Sequence, residues 1–222
     1  NDQLRISAPE LRCKIVGEGG NLGFTQAARI EYALGGGRLN TDFVDNSGGV
    51  DTSDHEVNLK ILLNPMVAAG KIDEAERNRF LRSLTDEVAE AVLADCNANG
   101  RLISLDVVRS ARDPNPYGRA IDWVCTRGNV SRAFLHLPTD EELRRRAGER
   151  KGLVRPELST LQAHVKMHMY KMLLAEDPAT IPAFNELLHR YFPQAVRDVY
   201  KDAIPTHMLA KAIGMTAILT EV

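Results

Sequence analysis

The sequence predicts a mostly α-helical protein with an α/β part, in which a partial parallel βαβ unit at the N-terminus precedes a helical, bundle-like region. Up to about residue 50, short apolar stretches alternate with glycines, as is typical of strands and tight turns. From Thr52 onward, apolar residues recur at helical spacing behind capping residues. We therefore divide the chain into residues 1–52 and 53–222.

The N-terminal part contains three segments with distinct patterns. "RCKIVGEGG" has β-branched residues before a glycine cluster, which predicts a buried strand that ends in a turn. "FTQAARIEYALGGG" predicts a helix stopped by glycines, and "RLNTDFVDN" predicts a second short strand. The order strand, helix, strand predicts a parallel pair of strands.

The helical part begins with "TSDHEVNLKILL", where Ser53 and Glu56 have the spacing of a capping box. Asp73 is expected to cap one long helix that "NANG" ends at residue 100. Pro156 is expected in the first turn of another long helix, since proline is tolerated there.

Composition excludes several classes of function. With 222 residues and a net charge of −2, the chain offers no electrostatic case for binding nucleic acid or an anionic membrane. No apolar stretch reaches the length of a membrane span. The cysteines Cys13, Cys96 and Cys125 form no CxxC motif, which favours a reducing cytoplasm. The first residues run directly into strand-like sequence, so we expect a piece of a longer chain.

The stretch "GEGGN", residues 17–21, lies where the first predicted strand ends and a helix begins. Ligands bind at such strand ends in open α/β sheets, and glycines let the backbone approach them. The stretch is not GxGxxG and so is no pyrophosphate fingerprint. The alternative interpretation is a tight strand-to-helix turn, with Asn21 in a left-handed or capping conformation.

The stretch "DNSGGVDTSD", residues 45–54, repeats this arrangement after the second predicted strand. The amide of Asn46 can donate and accept, which suits a carboxamide or a ribose hydroxyl. Ser53, predicted at a helix start, could direct its hydroxyl and the free N–H groups toward a carboxylate. Alternatively, Ser53 only caps its helix.

Other polar residues carry weaker signals. His164 and His168 lie four residues apart on one predicted helix, but the methionines around them indicate core packing, so no metal site is predicted. His55 is the best-placed accessory proton carrier, although a solvated residue in the first turn is the simpler interpretation. No catalytic residue is assigned.

Taken together, the two motifs resemble the cofactor domain of glutamate dehydrogenases, and more closely that of the large, NAD-specific bacterial type. Glu18, Gly19, Gly20 and Asn21 stand in the family's Glu-Gly-Ala-Asn motif. The stretch "NSGGV" with a serine three residues on stands in its Asn-Ala-Gly-Gly-Val motif. "LPTDEELRRR", "GLVRPELSTL" and "HRYFPQAVRDVY" resemble the C-terminal helical region of the large type.

The resemblance implies a Rossmann-like NAD-binding unit and assigns roles to particular residues. It implies that four residues border the cofactor NAD: Gly19, Gly20, Asn21 and Asn46. It also implies that four residues bind the substrate, Ser53 through the side-chain carboxylate of glutamate: Gly48, Gly49, Val50 and Ser53.

The implied reaction is the oxidative deamination of L-glutamate to 2-oxoglutarate and ammonia, a step of amino-acid catabolism, by a cytoplasmic homo-oligomer. The family's catalytic lysines and aspartate lie on an upstream domain that this sequence lacks. The piece would therefore supply the nicotinamide-side wall of the active-site cleft, depend on the rest of its own chain, and be inactive alone.

The sequence departs from the family pattern at two points, with Gly20 in place of an alanine and "LGFT" in place of Pro-Thr-Thr. Two alternatives stay open. One is a helical regulatory or oligomerisation module with vestigial nucleotide-binding loops. The other is a dehydrogenase for an apolar amino acid such as leucine or phenylalanine, which would be expected to lack a hydroxyl at the position of Ser53.

Overall fold

The computed structural model describes residues 5–20 and 23–221. α-Helices make up most of this part of the chain, and short 3-10 segments occupy residues 8–10, 178–180 and 201–206. The α-helices are α1 (Gln26–Leu34), α2 (Asp42–Asp45), α3 (Ser47–Ala68), α4 (Glu74–Ser83), α5 (Thr85–Arg112), α6 (Asn115–Gly128), α7 (Asp140–Gly148), α8 (Arg155–Ala175), α9 (Phe184–Tyr191), α10 (Gln194–Tyr200) and α11 (Ala210–Glu221).

The predicted Rossmann-like βαβ unit is wrong, because residues 5–20 and 23–221 contain no strand and no sheet. The two segments expected to be strands meet only in one isolated parallel bridge between Ile15 and Arg38. In that bridge the N–H of Val16 donates to the carbonyl of Arg38 at 2.9 Å, and the N–H of Arg38 donates to the carbonyl of Lys14 at 3.0 Å. The described part of the fold is all-helical.

Exposure and capping explain why the pairing stops there. Parallel strands are stable when both faces are buried, but the side chain of Ile15 is 69% exposed. The second segment is interrupted by α2. Thr41 is the N-cap residue of this helix and has an extended backbone. The acids at Asp42 and Asp45 favour this short helix, because negative charge stabilises a helix N-terminus.

The chain forms two compact units, each made of two separate stretches. Unit 1 comprises the chain up to residue 47 together with residues 96–168. Its larger core consists of the buried side chains of Ile103, Ile121, Val124, Leu135, Leu137, Leu143, Leu153, Leu158 and Leu161. A smaller cluster holds Ala8, Tyr32 and Leu39, and it positions α1.

Unit 2 comprises residues 48–95 and the chain from residue 169 onward. In this unit α11 packs on α9. Its core is one cluster of buried residues: Leu59, Leu62, Leu84, Phe184, Leu188, Phe192, Val196, Ile204, Ile213 and Met215.

The helix boundaries test the predicted caps. The carboxylate of Asp73 accepts the N–H of Glu76 at 2.7 Å and the reciprocal bond closes at 2.8 Å, which confirms the cap of α4. Pro156 follows the first residue of α8, as predicted. The capping box at Ser53 is wrong, because α3 already begins at Ser47.

The long helix expected after Asp73 is two helices, because α4 ends at Ser83 and α5 starts at Thr85. The residue between them, Leu84, is fully buried. The helix is therefore interrupted at a residue whose side chain packs in the core. "NANG" does not end the second helix, and α5 continues through Gly100 to Arg112. None of the helices in the described part of the chain is both long and apolar enough to cross a membrane.

Candidate functional site

Glu18, in the first predicted motif, is the centre of a buried polar network in unit 1. Its side chain is almost wholly buried, and its carboxylate accepts Nε of Arg29 at 2.6 Å and Nη2 of Arg29 at 2.9 Å. The same carboxylate accepts the N–H of Phe24 at 3.0 Å. Because these donors satisfy it, Glu18 anchors the loop that carries Gly19 and Gly20 rather than facing a ligand.

Local sequence explains how Arg29 reaches Glu18. Thr25 caps α1 by accepting the N–H of Ala28 on its hydroxyl at 3.2 Å, which places Arg29 on the first turn of the helix. The guanidinium of Arg29 also lies 3.4 Å from Asp42. The hydrogen bond to Glu18, with added attraction from both carboxylates, raises the pKa of Arg29 against the opposing effect of burial.

The network joins the first motif to the second. The N–H of Glu18 donates to Oδ2 of Asp45 at 3.0 Å, and the amide of Asn40 donates to Oδ1 of Asp45 at 2.7 Å. Gly19 directly follows Glu18, and Asn46 directly follows Asp45. The two stretches predicted to border a cofactor therefore lie side by side in unit 1.

The first turn of α8 completes this network. Nε of Arg155 donates to Oδ1 of Asn40 at 2.8 Å. The amide of Gln26 donates to the carbonyl of Pro156 and to the hydroxyl of Thr160, each at 3.0 Å. These hydrogen bonds hold Asn40 and Gln26 against the first turns of α8, and every acceptor in them is uncharged.

The predicted cofactor residues differ in their surroundings. Gly19 and Gly20 are exposed, and a Cβ added to either would meet no atom within 4 Å, so backbone there is open to a ligand. Asn46 is half-buried at the C-terminal end of α2, where its N–H donates to the carbonyl of Asp42 at 2.8 Å. Asn21 lies outside the described residues.

The predicted substrate residues lie in unit 2, in the first two turns of α3. Gly48 is half-buried, Gly49 is exposed and Val50 is 58% exposed. Ser53 is exposed and lies in the second turn of α3. The N–H groups without an intrahelical acceptor belong to the first turn of a helix, so the expected position of Ser53 beside them is wrong.

A buried polar cluster in unit 2 is a feature that the sequence interpretation missed. His55 is 3% exposed rather than solvated, and its ring stacks on Tyr191 with the centroids 4.4 Å apart. Nε2 of His55 lies 3.9 Å from Oδ1 of Asp51. His55, Leu59, Leu62 and Leu63 are all buried on α3. That helical spacing was the signal that could have placed His55 in the core.

Burial shifts the pKa values of His55 and Asp51 in opposite directions. Desolvation lowers the pKa of His55, although Asp51, Asp95 and Asp54 oppose the change. Desolvation also raises the pKa of Asp51, against the attraction of His55. Nδ1 of His55 and Oδ2 of Asp51 have no hydrogen-bond partner within residues 5–20 and 23–221. Both groups are therefore stabilised in their neutral forms.

The described residues contain no cluster of three or more His, Cys, Asp or Glu side chains that could hold a metal ion. His168, one of the pair considered for a metal, packs edge-on against Trp123 with the ring centroids 5.7 Å apart.

Comparison with known proteins identifies a family that the sequence matches. Residues 1–106 match the family described as bacterial NAD-glutamate dehydrogenase, catalytic domain, and residues 150–222 match glutamate dehydrogenase, C-terminal. The chain is 41% identical over 221 residues to the NAD-specific glutamate dehydrogenases of Mycobacterium tuberculosis and of Halomonas elongata. It is 42% identical to that of Pseudomonas aeruginosa. The matches cover 100% of this chain but 14% of each relative, so the chain spans about one seventh of their length.

Proposed function

The chain belongs to the bacterial NAD-glutamate dehydrogenases, and on that premise we propose that it forms part of an enzyme that oxidatively deaminates L-glutamate to 2-oxoglutarate and ammonia. The proposal is carried by the hydrogen bond between the N–H of Glu18 and the carboxylate of Asp45. That bond holds Asp45, the residue before Asn46, beside the loop of Gly19 and Gly20 in unit 1. Residues 1–52 would belong to the cofactor-binding part, and residues 53–222 to the helical C-terminal region.

The cofactor would be NAD, which supplies the acceptor for the hydride that leaves the α-carbon of glutamate. The residues of unit 1 fit such a group. Gly19 and Gly20 leave their backbone open, since no atom lies where a Cβ would project. The side-chain amide of Asn46 has the donor and the acceptor that a carboxamide or a ribose hydroxyl needs. Asn21 is proposed as a further cofactor residue from its place in the motif.

The substrate would be held by Gly48, Gly49, Val50 and Ser53. The proposal for Ser53 is supported by the exposure of its side chain and by the preference of a carboxylate for hydroxyl donors. Binding of the side-chain carboxylate would be present before and during hydride transfer alike, so Ser53 would lower KM without changing kcat.

The test is NADH production from glutamate and NAD by the complete natural chain that contains this sequence. Ser53→Ala should raise KM for glutamate about tenfold and leave kcat close to that of the natural enzyme, because one charge-assisted hydrogen bond is lost. Ser83→Ala is the matched control, since Ser83 is an exposed serine whose hydroxyl donates to the carbonyl of Phe80 within α4.

An unchanged KM in Ser53→Ala would remove Ser53 from the substrate site while leaving the enzyme function intact. A folded natural enzyme that makes no NADH from glutamate would overturn the function itself. NADH formation from leucine or phenylalanine instead would assign the enzyme to apolar amino acids.

A further inference from the structure

A cavity of about 1100 Å³ lies within unit 1, and none of the described residues assigned above to cofactor and substrate lines it. Three stretches of chain form it: the end of α1 with the loop after it, the last turns of α5, and the connection from α7 to α8. Its volume is slightly above the roughly 300–1,000 Å³ that is usual for a small-molecule site, so it has room for a small organic molecule.

The charges around this cavity have one sign. Five basic residues line it and no acidic residue does: Arg38, Arg112, Arg150, Lys151 and Arg155. Lys151 is partly neutralised by Glu149 at 3.2 Å. Within residues 5–20 and 23–221, no carboxylate pairs with Arg38, Arg112 or Arg150. Several cations that converge on one concave surface attract an anion.

Arg155 lies deepest among the five and is half-buried. Its guanidinium donates to Oδ1 of Asn40 at 2.8 Å, to the hydroxyl of Ser104 at 2.8 Å and to the carbonyl of Gly100 at 3.4 Å. All three acceptors are neutral, and burial lowers the pKa of Arg155 against the attraction of Asp45. A partly desolvated cation with neutral partners gains from an anion placed nearby.

The rest of the lining is apolar. Leu34 and Val108 lie at the cavity with 46% and 49% of their side chains exposed, and Val107, Ala111 and Leu153 also line it. An inorganic anion would leave this surface in water. An anion with an apolar body would cover it and gain the free energy of apolar burial.

The walls of the cavity are fixed by close packing. A Cβ on Gly37 would lie 2.2 Å from the ring of Tyr32, and a Cβ on Gly152 would lie 2.3 Å from the hydroxyl of Ser110. The same hydroxyl accepts the N–H of Leu153 at 3.0 Å. A ligand would therefore meet loops that are already in place, which reduces the entropy cost of binding.

Arg150, which lines the cavity, holds an unfavourable backbone conformation. Its φ of 58° is left-handed, at the end of α7 where glycine is the usual residue. Such conformations in residues other than glycine concentrate at functional sites. At this position the chain has an arginine beside the cavity, where glycine would have no side chain.

We propose that this cavity binds an organic phosphate: a small molecule with a doubly charged phosphate group and an apolar body. Arg38, Arg112 and Arg150 receive the phosphate, because the planar guanidinium presents paired N–H donors to its oxygens. The apolar body lies on Leu34 and Val108. None of the described residues proposed for NAD or glutamate lines this cavity.

The first test is equilibrium dialysis of 1-naphthyl phosphate against the complete natural chain, with saturating NAD present to occupy any dinucleotide site. We expect one bound molecule per chain, and inorganic phosphate should bind at least about tenfold more weakly because it lacks the apolar body. The readout does not depend on glutamate turnover, so its failure is distinguishable from failure of the proposed enzyme function.

Two pairs of variants on α5 locate the site. Arg112→Glu should weaken binding about tenfold by reversing a charge at the cavity, and Val108→Trp should weaken it similarly by filling the apolar surface. The matched controls are Arg101→Glu and Leu105→Trp, which make the same changes at exposed positions of α5 outside the cavity. The controls should bind as the natural chain does.

Either of two results would overturn the proposal. One is no binding by the complete chain, as expected if another segment of that chain fills the cavity. The other is equal affinity in Arg112→Glu and the natural chain, which would move any bound probe elsewhere.

Discussion

The pKa of His55 is lowered, although the acidic residues near it in the sequence would raise it. Its own helix contributes Asp51 and Asp54, α5 contributes Asp95, and Tyr191 of α9 stacks on its ring. These acids would favour a charged imidazole, yet desolvation outweighs them and lowers the pKa of His55. Burial therefore sets the direction in which the pKa of His55 moves, although three acids oppose that shift.

We expect stability to depend on pH through this residue. The unfolded chain binds a proton on His55 near its ordinary pKa of 6.5, whereas the folded chain resists protonation until lower pH. The free energy of unfolding should therefore fall as the pH drops below about 6.5. Asp51 acts in the opposite direction: its raised pKa stabilises the fold below its ordinary value of 3.8, and this contribution is lost as the pH rises through the folded pKa.

The measurement is chemical denaturation at several pH values between about 7 and about 5. His55→Phe keeps an aromatic ring against Tyr191 and should reduce the loss of stability on acidification. His189→Phe is the control in the same unit, because Nδ1 of His189 contacts the carbonyl of Asn185 at the exposed surface. An equal loss in the natural chain and in His55→Phe would contradict this assignment.

At the scale of elements, close packing decides where a side chain can be added. Gly214 lets α11 approach α9, and a Cβ there would lie 2.4 Å from the ring of the buried Phe184. Gly100 lies inside α5 with no atom within 4 Å of such a Cβ. The same substitution should therefore have opposite effects at the two positions.

Gly214→Ala should lower the free energy of unfolding by about 1–3 kcal/mol, because the helices or the ring must shift. Gly100→Ala should raise it by about 0.5–1 kcal/mol, since alanine is the better helix former and nothing obstructs it. Thermal unfolding of both variants measures the difference. Adding Phe184→Leu should recover part of the loss in Gly214→Ala, and no recovery would mean that the ring is not the obstacle.

The same scale explains which predicted elements form. Asp73 and Glu76 cap α4 through bonds within four residues, so sequence alone could locate that start. The strand around Ile15 depends on partners that sequence cannot supply. With that side chain exposed and a single parallel bridge to Arg38, extended backbone has too little pairing to become a sheet.

At the scale of the whole molecule, each compact unit has a core drawn only from its own residues. Ile121 is fully buried in the core of unit 1, and Leu188 is 1% exposed in the core of unit 2. A cavity made in one core should therefore weaken that unit first.

Ile121→Ala and Leu188→Ala should each cost about 3 kcal/mol, from lost apolar burial and the cavity left behind. Hydrogen exchange measured by mass spectrometry should show faster exchange in unit 1 for the first variant and in unit 2 for the second. Leu105→Ala and Val199→Ala are the controls, since these side chains are 51% and 63% exposed. Equal acceleration in both units by either core variant would mean that the two cores unfold together.

Local sequence patterns by themselves predicted the helices that have strong caps or regular apolar spacing. The two motifs indicated the family. Both kinds of information lie within short stretches of chain. Tertiary structure alone decided the rest. It stacked Tyr191 on His55, moved the start of α3 ahead of Ser53, reduced two expected strands to one bridge, and gathered cations from three separate stretches around one cavity. These outcomes depend on burial and on contacts between distant residues, which no local pattern encodes.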